Sequence, residues 1–115
     1  MLNRLFPLFL TLASPAVAAD LATADQIKAA ISGNTVQGGM LATGAYTEFY
    51  APDGTIKAQD YSGSWSIEGD KMCFAYGEDP ATCWGVRLSG ASVTWVGERG
   101  DEGTGTIEAG NPHKF

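Results

Sequence analysis

Cations, histidine and cysteine are all scarce in this sequence: seven lysines and arginines face 13 aspartates and glutamates, with one histidine and two cysteines. A formal charge of -6 repels polyphosphate and anionic head groups, so nucleic acid is not an expected partner, nor is an acidic membrane surface. Zinc chemistry would need more thiols and imidazoles than the chain supplies, because His113 stands near the end and Cys73 and Cys83 are the only thiols. No metal and no cofactor is expected. Serines occur mostly at turns and the single histidine sits in the tail, which leaves nucleophilic catalysis without its parts. The chain is read as not an enzyme.

What is present fits one small domain: 115 residues, 44% of them hydrophobic, enough for a compact core and too few for two. Residues 1–19 read as a secretory signal peptide. Arg4 supplies the positive start, Leu5 to Ala13 the apolar stretch, and Ala16, Ala18 and Ala19 the small side chains needed for cleavage after Ala18 or Ala19. No cysteine stands near that point to carry a lipid, and no later segment is long and apolar enough to span a bilayer. The mature chain, 20–115, is therefore expected in the periplasm or outside the cell, without a membrane anchor. In such an oxidising compartment a lone pair of cysteines predicts a Cys73–Cys83 disulfide. Closing so small a ring contributes about 2.8 kcal/mol in the loop-entropy model.

Thr23 followed three residues later by Gln26 has the form of a capping box, and Ile27 and Ile31 lie one turn apart, which predicts a short helix over 24–32 ended by Gly33. From Asn34 onward the apolar period changes to two. Pro52-Asp53-Gly54 joins a strand near 45–51 to one near 55–61, and Gly69-Asp70 sets Trp65 opposite Phe74 and Ile67 opposite Met72. Ser89-Gly90 is read as a further two-residue turn, setting Leu88 against Ala91, Val86 against Val93 and Trp84 against Trp95. A bend or bulge is expected at Ser62-Gly63, where the phase before it does not run on into Trp65.

The resulting fold class is mostly β: an antiparallel meander of about eight short strands, from about 34 to 108, curled into a small barrel with one N-terminal helix and one disulfide. An open sheet or a two-layer sandwich is the alternative. Trp65, Ile67, Met72, Phe74, Tyr76, Trp84, Val86, Leu88, Val93 and Trp95 form the inner surface, and Cys73 and Cys83 face out.

Candidate binding residues are all acidic. Glu48 shares a face with Tyr46, Tyr50, Ile56 and Ala58, with Asp60 further along the same face; the competing phase would bury Thr47, Phe49 and Tyr61 instead. Two carboxyls approaching a core can act as ligand contacts or as an acid–base pair. Gly97 to Gly103 is read as a solvated hairpin loop bearing Glu98, Asp101 and Glu102 before a last strand near 104–108. It lacks the lysine and hydroxyl of a phosphate cradle and the alternating ligands of a calcium loop.

Gly33-Asn34-Thr35 after a short helix, Tyr50-Ala51-Pro52-Asp53-Gly54-Thr55, Gly63-Ser64-Trp65-Ser66-Ile67 and two cysteines flanking a short excursion resemble the small exported proteins of alphaproteobacteria that combine a signal peptide with a domain of unknown function. That resemblance implies location and fold and carries no catalytic residue with it. Together these readings point to a non-enzymatic periplasmic binding or interaction module whose acidic loops, Gly77–Pro80 and Gly97–Gly103, meet a basic envelope protein. An acidic inhibitor of an exported hydrolase, such as a lysozyme or protease, is one alternative, and a small-molecule carrier is the other.

Overall fold

A computed structural model describes residues 20–115; the predicted signal segment 1–19 and its cleavage point lie outside the described residues. The helix α1, Ala24–Ile31, starts on the capping box: Thr23 Oγ1 accepts from the Gln26 amide and Gln26 Oε1 accepts from the Thr23 amide. Asp70, in a turn between two strands, accepts the Ala24 amide at 2.8 Å. One more free helix donor is thereby satisfied, and the helix is tied to the sheet. Ile27 and Ile31 are fully buried, so α1 plugs one end of the barrel that the strands form.

The strands number eight: β1 (Asn34–Met40), β2 (Gly44–Tyr50), β3 (Thr55–Lys57), β4 (Ser62–Glu68), β5 (Lys71–Ala75), β6 (Thr82–Ser89), β7 (Ser92–Gly97) and β8 (Gly100–Glu108). Each pairs antiparallel with its sequence neighbour, and β8 returns to β1 to close the barrel. Closure leaves no open sheet edge, so every strand has a partner on both sides. The inner face carries Val36, Tyr50, Ile56, Met72, Phe74, Val86, Val93 and Trp95, with Trp65, Ile67, Tyr76, Trp84 and Leu88 packed against them. Cys73 and Cys83 are register partners on the outer face and are joined, Sγ to Sγ, at 2.02 Å. No helix among the described residues is long and apolar enough to cross a membrane.

Several local expectations are corrected. The β4–β5 hairpin has the predicted register, but the β6–β7 turn is Gly90-Ala91, so Leu88 pairs with Val93 and Val86 with Trp95. This slip of two residues keeps every side chain on its predicted face, because the pleat repeats every two. Gly90 takes φ +58, a conformation glycine adopts without strain in such hairpins. Strand β3 stops at Lys57, and the link 58–61 absorbs the phase change expected from a bend at Ser62-Gly63; β4 then runs unbroken. The register shift of the barrel lies instead between Trp95 and Val96. Finally, 97–103 is no long loop, since Gly97 pairs with Gly100 across a two-residue turn and β8 begins there.

Alternating strand direction sorts the connections into two ends. The β2–β3, β4–β5 and β6–β7 turns share one end with α1, while 41–43, 58–61, 76–81 and 98–99 ring the opposite end. The helix closes the first end only.

Candidate functional site

Inside the open end, β2 directs Tyr46, Glu48 and Tyr50 inward, as its period-two pattern requires, with Glu48 opposite Val36 of β1. Glu48 is only 5% exposed, and a carboxylate so placed must be hydrogen-bonded. Three tyrosines satisfy it. Tyr50 donates to Oε1 at 2.6 Å, Tyr61 donates to Oε2 at 2.7 Å, and Tyr76 lies 3.0 and 2.8 Å from the two oxygens, sharing one proton between them. The Tyr61 and Tyr76 rings meet edge to face at 5.9 Å, and Tyr50 meets Phe74 in the same way at 6.0 Å.

Glycines make room for these rings. A Cβ on Gly63 would lie 2.7 Å from the Tyr76 ring, and one on Gly105 would lie 2.5 Å from the Tyr46 hydroxyl. Tyr46 therefore crosses β1 over Gly38, its register partner, to donate to the Thr104 carbonyl at 3.0 Å while accepting from Trp95 Nε1 at 2.8 Å. An added methyl at either seat displaces a tyrosine of the site.

The electrostatics keep the phenols protonated. Burial raises the Tyr50 pKa well above its ordinary value, and the Glu48 charge and hydrogen bond raise it further. Tyr76 is raised by burial and then by the same charge; Tyr61 is raised by burial, by its bond to Glu48 and by the charge. Burial also raises Tyr46, against the lowering effect of the Trp95 donor. All four therefore remain neutral at physiological pH, and the three around Glu48 stay donors toward it. The two ion pairs among the described residues are Arg87–Asp101 and His113–Glu108, so neither supplies Glu48 with a cation.

Above this floor lies a cavity of about 630 Å³ with walls that include Phe74, Tyr76, Trp84 and Trp95. It opens between the 41–43, 58–61 and 76–81 connections. Aromatic walls with a few convergent polar groups are the usual make-up of a small-ligand site.

Of the acidic candidates proposed from sequence, Glu48 alone is part of this cavity. Asp60 is exposed in the 58–61 link and does not line the cavity, so the Glu48–Asp60 pair is not assembled; an inward Asp60 requires β3 to run on to 61, and β3 ends at Lys57. Glu98 is exposed in the β7–β8 turn, Asp101 is held 3.3 Å from Arg87 on β8, and Glu102 is half-buried beside Gly97 at the register shift. They do not share one loop. Sequence reasoning missed Tyr61, which it set on the phase opposite to Glu48. Its signal was the inward run of Tyr46, Glu48 and Tyr50, a buried carboxylate that needs donors. Comparisons with protein-family models, with curated proteins and with solved structures give no match for this chain.

Proposed function

We propose that the protein is a non-enzymatic, exported binding module that takes a small molecule into the open end of its barrel. The carrying observation is the aromatic cavity of about 630 Å³ with Glu48 and its three phenols at the floor, opposite an end plugged by α1. Support for export comes from residues 1–19 as read in the sequence, joined by the disulfide. An eight-stranded barrel is the size at which side chains either fill the interior or leave space for one small ligand, and here the space is left. The neutral apolar probe N-phenyl-1-naphthylamine should bind with micromolar affinity, seen as a rise in its fluorescence. Tryptophan at Thr82, which points inward opposite Phe74 and would fill the cavity, or alanine at Trp84, which would remove an aromatic wall, should weaken that binding by about tenfold or more. Absence of binding, or binding indifferent to both substitutions, removes the reading.

A second reading, a basic envelope protein as partner, is favoured by the same end of the barrel. Leu41 is 80% exposed there, and the other connections of that end carry the exposed acids Asp60, Glu78, Asp79 and Glu98. A surface of this kind speeds encounter with a cationic protein, including a lysozyme or protease held by an inhibitor. Glu78→Lys with Glu98→Lys should abolish association with such a protein at low salt, and unchanged association sinks this reading.

A further inference from the structure

Resting on the small-molecule reading above, we propose that the ligand is an organic cation: a compact apolar body carrying one ammonium group, seated with the ammonium toward Glu48 and the body among the aromatic rings.

Three observations converge on that class. The first is the floor: three phenol hydroxyls converge on the two oxygens of Glu48 and each donates to it, the pattern that satisfies a buried carboxylate. Tyr76 spans both oxygens with a single proton, so a ligand N–H that takes one oxygen leaves Tyr76 bonded to the other. A buried negative charge met by neutral phenols, with no lysine, arginine or histidine paired to it among the described residues, is a charge that an entering cation complements. A second anion is repelled from the same place.

The second observation is the wall. Tyr46, Tyr61, Tyr76, Phe74, Trp84 and Trp95 line the cavity, and the negative faces of such rings attract ammonium groups, most strongly where water is excluded. The rings accept apolar matter of any charge, but they add selectivity only for a cation. The third is the mouth. Asp60, Glu78, Asp79 and Glu98 are exposed on the connections that ring the open end, against Lys57, Arg99 and Lys114, the last beside Ala58 and Gln59 of the 58–61 link. The field at the entrance therefore favours cations before they reach the floor.

The test uses the protein with its disulfide intact and three rigid probes of one shape: 1-adamantylamine, 1-adamantanol and 1-adamantanecarboxylate. Binding is read from the fluorescence of Trp84 and Trp95 and by calorimetry at neutral pH. The amine should bind about tenfold or more tightly than the alcohol, with the carboxylate weakest. Glu48→Gln should bring the amine-to-alcohol ratio toward one. If that variant does not fold, the three affinities of the unaltered protein decide the matter alone. An alcohol as tight as the amine, or a carboxylate tighter than either, overturns the cation assignment. So does failure of all three probes while N-phenyl-1-naphthylamine still binds; failure of that probe as well overturns the cavity reading with it.

Discussion

Above pH 10 the protein is expected to unfold in one cooperative step, its four tyrosines ionising together instead of titrating one by one. All four, Tyr46, Tyr50, Tyr61 and Tyr76, have folded pKa values raised above the ordinary phenol, chiefly by burial. A group raised in the folded state stabilises the fold fully below the unfolded pKa, near 10, and loses that contribution as pH climbs from there through the folded value. In that window the unfolded chain holds fewer protons than the native one, so stability falls with pH. Each phenol kept fully protonated gives a slope of about 1.4 kcal/mol per pH unit. Tyr50, 1% exposed, delivers the whole of it, whereas solvent screening reduces the share of the half-exposed Tyr61. Phenolate absorbance followed beside far-ultraviolet circular dichroism should show the two transitions coinciding. Four independent titrations near pH 10 with the sheet intact would contradict the site as described.

Glu48→Leu is the substitution expected to cost most at the site. Leucine removes the acceptor shared by three phenols and leaves Tyr50 and Tyr76 with unpaired hydroxyls, while Tyr61 can turn to water. An orphaned buried donor costs about 1–3 kcal/mol, so a loss of about 2–5 kcal/mol is expected, a large part of the total for a domain of this size. Glu48→Gln, which keeps one carbonyl oxygen, should lose less. Urea unfolding of both variants against the unaltered chain checks the order. A leucine variant as stable as the parent would mean that the carboxylate and its phenols contribute no net stability.

The two transitions are linked. Without Glu48, its charge and hydrogen-bond contributions to the upward shift in Tyr50, Tyr61 and Tyr76 disappear, leaving burial and, for Tyr50 and Tyr76, the neighbouring phenols, so the alkaline midpoint should move down in the leucine variant for two reasons: a weaker fold and less resistant phenols.

Much of the fold is legible in the sequence because three local signals agree. The Thr23/Gln26 box opens the helix, glycine turns cut the chain at regular intervals, and the alternation through Trp65, Ile67, Met72 and Phe74 has one consistent phase. The β6–β7 turn slips because Ser89-Gly90 and Gly90-Ala91 both satisfy the two-residue rule and differ by a shift that preserves the faces. Strand β8 is longer than its pattern suggests for a different reason. Glycines at 97, 100 and 103 have the look of loop residues, but a Cβ on Gly103 would meet Met40 and one on Gly97 would meet Trp84, so those two are strand positions kept bare for packing. Sequence pattern does not separate a glycine that turns the chain from one that makes room beside it.

The site is half legible. Glu48 and its neighbours Tyr46 and Tyr50 follow from alternation alone, and Tyr76 from the phase of β5 continued past its end. Tyr61 and Asp60 do not, because both lie in the 58–61 link where no period operates; there the bond from the Ala58 amide to the Tyr61 carbonyl, at 3.1 Å, fixes the turn. That turn brings the Tyr61 hydroxyl to Glu48 and leaves Asp60 at the surface. The acidic residues singled out by their charge are, Glu48 apart, rim and outer-wall positions, and the other groups that build the cavity are chiefly neutral aromatics.

Titration of the isotopically labelled protein with 1-adamantylamine, followed in amide and indole NMR spectra, tests the central claim most directly. The account predicts large shifts at Tyr46, Glu48, Tyr61, Tyr76 and the Trp84 indole, with the Trp65 indole, bonded to the Ala51 carbonyl toward the helix end, unmoved. Shifts gathered on α1 and the turns around it, spread over the outer face, or absent altogether would contradict it.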